Sequence, residues 1–185
     1  MDDDYKGELL KECPDRFMKG ISISPAGNYL FNVNLECKKL DSEMAVIFHH
    51  LTARLLYLSK LIRPDLLTTV SFLCTCVPNP DLDDLKNLGC CLCYLRDTAE
   101  LKFTSSADGT WLIRWWVDAL YGVHTDMRSH TRATMSMGTT GCVYSMSCCQ
   151  RLNTRSSTEA ELVGVDDAMN MVLWSWLSWK HKDSV

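Results

Sequence analysis

The chain has 185 residues, 46% of them hydrophobic and 23% charged, which suffices for one domain or two small ones and excludes disorder throughout. Its formal net charge is -4. Up to residue 110 there are 12 Lys/Arg against 16 Asp/Glu, and beyond it 7 against 7, so neither half carries the basic stripe needed to hold nucleic acid by bulk electrostatics.

Ten cysteines suggest a disulfide framework only in a secreted chain, and the opening Met-Asp-Asp-Asp-Tyr-Lys contains no apolar signal segment. Cys74, Cys76, Cys90, Cys91 and Cys93 lie in apolar runs and match no paired zinc-ligand spacing. They read as reduced thiols serving as small hydrophobes. No apolar run reaches the length of a membrane span. The expectation is an intracellular protein, cytoplasmic or nuclear, that does not enter a membrane.

Residues 1–40, broken by Pro14, Pro25 and Gly27, read as an extended, poorly ordered lead-in. Asp41 is a good helix N-cap, and Phe48, Leu51, Leu55, Leu58 and Ile62 then recur every three or four residues as one apolar face. Pro64 stops that helix. A second helical run covers 65–76. Asn79 followed by Pro80 suggests the start of a third helix, through Leu82, Leu85, Leu88, Leu92 and Leu95. Residues 41–104 therefore form a small helical bundle.

Near Ser105 the period changes. Residues 111–117 are aromatic and β-branched and predict a strand ending at Asp118. Residues 122–131 are a polar loop, and 133–137 and 142–149 are two further strands joined by a glycine-bounded turn. Ser156-Ser-Thr-Glu159 fits a capping box that opens a last helix. Its apolar face is Leu162, Val165, Met169, Val172, Trp176 and Trp179. Residues 110–185 thus read β-β-β-α, and the fold class is α+β.

In that layout a carboxylate at a strand end, Asp118, and one in the first turns of the helix, Glu161, are candidates to meet at one site. Two-metal phosphodiester hydrolysis needs converging carboxylates that hold divalent cations roughly 4 Å apart, and Mg²⁺ prefers such oxygen ligands. An aspartate after a strand is common, so the pair is a candidate and no more on these grounds.

Three segments add to this: Trp-Val-Asp-Ala at 116–119, His-Thr-Asp-Met-Arg-Ser-His-Thr at 124–131, and Leu-Asn-Thr-Arg-Ser-Ser-Thr-Glu-Ala-Glu-Leu at 152–162. Together they resemble the ribonuclease H region of copia-type retrotransposon polyproteins. Residues 48–60, with Arg63-Pro-Asp65 and Cys93-Tyr-Leu-Arg-Asp97, resemble the connection that follows the polymerase in that family. The likeness spans residues 24–179. It implies a helical connection followed by a truncated ribonuclease H-like unit, whose ancestral activity is Mg²⁺-dependent hydrolysis of RNA in RNA–DNA hybrids. It also implies that Asp118 and Glu161 descend from metal ligands, while Glu159 keeps the capping role.

The family's third aspartate ends a fourth strand, and no counterpart precedes Val185, so the resemblance implies a vestigial site and an inactive chain. Asp166 and Asp167 lie about 140° and 120° around the helix from Glu161 and read as solvated charge. His181 lies about 30 Å along the helix from Glu161. Asp2, Asp3 and Asp4 lack the strand context of a polymerase aspartate pair. Arg132 stands where relatives tend to have glycine, at the turn entering the second strand. Few phosphate partners are on offer beyond Arg114, Arg128, Arg151 and Arg155, so weak or no binding of nucleic acid is expected. The first strand is expected to expose an edge bearing three tryptophans, a route to self-association. Trp174, Trp176 and Trp179 offer a base-stacking platform on one reading and core or interface packing on the other, which their helical spacing favours. A non-catalytic interaction module and a decayed gene fragment stay open beside the enzyme remnant.

Overall fold

A computed structural model describes residues 2–14, 17–32, 34, 36–110 and 112–180. Trp111 and His181 lie outside them, and of Asp2, Asp3 and Asp4 only the backbone is described. The chain divides into two compact units, Met1–Lys102 and Phe103–Val185.

The first unit is helical: α1 (Asp2–Glu12), α2 (Ser42–Leu61), a 3-10 turn (Pro64–Leu66), α3 (Leu67–Cys76) and α4 (Leu82–Asp97). Asp41 caps α2 as its sequence suggests, its carboxylate accepting from the Met44 amide at 2.8 Å. Pro64 has no amide hydrogen for the ladder, and α2 ends at Leu61. The cap of α4 lies one residue beyond Pro80. Asp81 accepts from the amides of Asp83 and Asp84, and the Asp84 side chain accepts from the Asp81 amide in a full capping box. Two reciprocal bonds outbid the asparagine-proline start expected from sequence. Phe48, Leu51, Leu55 and Leu58 of α2 meet Leu66, Val70, Leu73, Leu88 and Leu92 in one buried cluster.

Within residues 1–40, expected to be a poorly ordered lead-in, Asp2–Glu12 form a helix that the sequence reading did not include. Leu9 and Cys13 belong to the core cluster, and Arg54 on α2 pairs with Glu12. Further along, Arg96 donates to the carbonyls of Met18 and Gly20, and Asp97 accepts from the Ser22 amide at 2.9 Å. Side-chain-to-backbone bonds of this kind leave no periodic trace, so residues 18–22 read as a loop while being fastened to α4.

The residues that carry the resemblance in this unit form a structural knot. Arg63, with its side chain 2% exposed, donates to Asp65 from Nε (3.0 Å) and Nη2 (2.8 Å), and to the Thr98 hydroxyl at 2.7 Å. Its guanidinium lies 5.4 Å from the centre of the Tyr94 ring. Burial penalises both charges, but the Arg63 bonds outweigh it and hold the Asp65 carboxyl below its usual range. Cys91 and Cys93 are buried and Cys74, Cys76 and Cys90 half-buried. Burial pushes the Cys76 thiol up to about 12, so it stays protonated at neutral pH.

The second unit holds β1 (Arg114–Leu120), β2 (His130–Ser136), β3 (Tyr144–Cys149) and α5 (Ser157–Lys180). The sheet is antiparallel, ordered β1-β2-β3, with Val117 opposite Ala133 and Ala133 opposite Met146. The β-β-β-α order and the α+β class agree with the sequence. β1 does not end at Asp118, however, but continues through Leu120, with Asp118 opposite Arg132. Arg132 is accordingly the third residue of β2 and not part of a turn.

α5 packs on the sheet through small residues. Ala160, Gly164, Ala168 and Ser175 are buried, and a methyl placed on Gly164 would touch Val117, Ala119 and Thr131 at 3.5 to 3.6 Å. The expected apolar face is corrected in its role. Leu162, Val165, Met169 and Trp176 are coherent in spacing but exposed. Close approach of a helix to a sheet favours side chains without bulk, and these lie on another stripe. No helix among the described residues is long and apolar enough to cross a membrane.

Candidate functional site

The pleat of β1 decides where Asp118 goes. Successive side chains alternate between faces, and Val117 and Ala119 are the residues under α5. Asp118 is therefore turned to the opposite face, exposed beside Trp116 and Leu120. Glu161 sits on α5 and is exposed, one heptad before Ala168 of the row that meets the sheet. Asp118 therefore projects from the face away from α5, while Glu161 is carried by the helix on the other face. Among the described residues there is no group of three or more His, Cys, Asp or Glu side chains able to hold a metal.

Glu159 keeps the capping role. Its amide donates to Ser156 Oγ at 3.2 Å and its carboxylate accepts from the Arg155 amide at 2.7 Å. Asp167 is not the solvated charge its helical angle suggests. It accepts from Thr131 Oγ1 at 2.8 Å, and Thr131 accepts in turn from the buried Gln150 Nε2 at 3.0 Å. Gln150 also donates to the Ala160 carbonyl at 2.8 Å, so one network ties β2, the end of β3 and the first turns of α5. Of the four arginines offered to phosphates, Arg128 pairs with Asp126, and Arg114 lies 3.7 Å from Asp108. Trp115 is drawn under α5, with Nε1 3.4 Å from Ser175 Oγ, while Trp116 is exposed.

The most organised polar cluster was not legible as such. His124 Nε2 lies 3.0 Å from His130 Nδ1, and His130 Nε2 lies 2.7 Å from Ser147 Oγ. Burial, reinforced by the neighbouring His124, pushes His130 down to about 4, and burial also lowers His124. Both rings are neutral at physiological pH, and the chain of bonds is a serine–histidine–histidine relay in form. A general base works best with a pKa near the working pH, and His130 is far below it. Its evident work is to fix the loop at 121–129, where the His124 amide donates to the Arg128 carbonyl and Met127 adopts a positive φ of 62°. A single signal was available, the His-x5-His spacing across that loop, and it is too common to single out.

Fold and site together define an α+β chain whose second unit is a three-stranded antiparallel sheet backed by one helix. No family model matches the chain, and neither a curated protein nor a solved structure matches it.

Proposed function

We propose that this chain is a remnant of a retrotransposon reverse transcriptase–ribonuclease H region that no longer hydrolyses RNA in RNA–DNA hybrids. The motifs at 116–119, 124–131 and 152–162 support the origin, and the β-β-β-α order agrees with it. The observation that carries the loss of activity is the direction of Asp118. α5 lies over Val117 and Ala119, so the strand carboxylate faces away from the helix that bears Glu161. A cation held by Glu161 alone gains nothing from Asp118, and the in-line displacement has no clamp on both oxygens. The near-neutral balance of charge after residue 110 also supports weak binding of a hybrid.

The test is incubation of the full chain with an end-labelled RNA–DNA hybrid in Mg²⁺ and, separately, Mn²⁺. No cleavage above a protein-free control is expected. Cleavage that disappears in Asp118→Asn would refute the reading, because it would require Asp118 to reach the metal.

A further inference from the structure

α5 carries two stripes at helical spacing, and the sheet covers only one. Leu162 is 67% exposed and Trp176 55%, with Val165 and Met169 between them also open to solvent. With the half-buried Val172 they recur in strict alternation of three and four residues, and Trp179 continues the alternation. That is the 3.5-residue repeat of a coiled-coil seam, about 26 Å long at 1.5 Å per residue. A contiguous apolar patch of this length on a surface helix marks an interface.

We propose that α5 pairs antiparallel with α5 of a second copy of this chain through this seam. A twofold axis between residues 170 and 171 makes the seam complementary to itself. Met169 then meets the partner's Val172, Val165 meets the partner's Trp176, and Leu162 meets the partner's Trp179. Each layer sets a smaller side chain against a larger one, as close packing demands.

Charge selects the antiparallel sense. One flank of the seam carries Glu159 and Asp166 one heptad apart, then Leu173, then Lys180 a heptad further on. Antiparallel pairing brings Lys180 of each copy between Glu159 and Asp166 of the other. Parallel pairing instead sets Glu161 of one copy against Asp166 of the other, a repulsion. Lys180 already leans toward the seam, with Nζ 5.0 Å from the centre of the Trp176 ring. The pairing does not rest on the ribonuclease reading, and its failure would leave that reading untouched.

Sedimentation velocity on the full chain over a wide range of concentration decides it. A reversible dimer is expected. Met169→Glu should raise its dissociation constant at least about tenfold, with the far-UV circular dichroism unchanged. Lys180→Glu and Asp166→Lys should each weaken the dimer, and an equimolar mixture of the two variants should restore it as a heterodimer. If Met169→Glu fails to fold, the charge variants alone settle the matter. A monomer at every concentration, a dimer indifferent to Met169→Glu, or a dimer tightened by Asp166→Lys alone would overturn the proposal.

Discussion

Gly164 is the position where the packing of the second unit can be weighed most directly. A methyl added there meets Val117 Cγ1 at 3.5 Å and Ala119 Cβ and Thr131 Cγ2 at 3.6 Å, ordinary van der Waals distances with no atom in the way. Gly164→Ala therefore adds helix propensity of about 1 kcal/mol without a steric penalty. A net gain of about 1 kcal/mol corresponds to a rise in the melting midpoint of roughly 5 °C for a unit of this size. Gly164→Leu has no room for its branched end, and forcing α5 off the sheet costs about 2 kcal/mol. The six tryptophans all lie at or beyond residue 111, so their emission during urea unfolding reports on the second unit alone. The leucine variant discriminates: were Gly164 on the solvent face, leucine would be as well tolerated as alanine. Equal stability of the two variants would refute the packing, and with it the direction assigned to Asp118.

Acid should weaken the second unit through His130. Its folded pKa, about 4, lies below the unfolded value near 6.5. The contribution is full above pH 6.5, declines as pH falls, and is gone below about 4, a loss of about 3 kcal/mol that His130→Gln should flatten. Urea midpoints measured by tryptophan emission between pH 7 and 4 would show it. In the first unit, Arg63→Met should cost about 3 kcal/mol, at the lower end for breaking a buried ion pair because Asp65 is 31% exposed. Adding Asp65→Asn should recover part of the loss in thermal unfolding followed by far-UV circular dichroism. A double variant no better than the single would show that the two charges are uncoupled. Cys91, fully buried with its thiol pushed up by burial, should resist alkylation by iodoacetamide in the folded chain and react once urea unfolds it, as mass spectrometry of the labelled peptide would record.

The helices of the first unit are readable because cap, period and breaker agree. Asp41, the spacing from Phe48 to Leu58 and Pro64 all point to one helix. α5 is readable as a helix but not in its orientation. Periodicity finds a coherent apolar stripe, and Leu162, Val165 and Met169 make the conspicuous one. The stripe that packs is Ala160, Gly164 and Ala168, whose value lies in what they lack: bulk between helix and sheet. Asp118 turns on a boundary error of two residues. A strand expected to stop at Asp118 runs on to Leu120, and strand alternation then fixes its face from Val117 and Ala119. The His124–His130–Ser147 cluster depends on the loop and on the pairing of β2 with β3, which no local pattern encodes.

The fastening of α1 and of residues 17–22 has a practical consequence for anyone dividing this chain. Gly89 on α4 leaves room for the Phe17 carbonyl, which would stand only 2.5 Å from a methyl at that position. With the bonds from Arg96 and Asp97, this makes α4 the floor on which residues 17–22 lie. A recombinant piece begun at the obvious cap, Asp41, would strip that covering and bare the groove that receives Leu9 and Cys13. Such a fragment should be prone to precipitation, so the natural place to separate the two halves is after Lys102, with the whole of Met1–Lys102 retained.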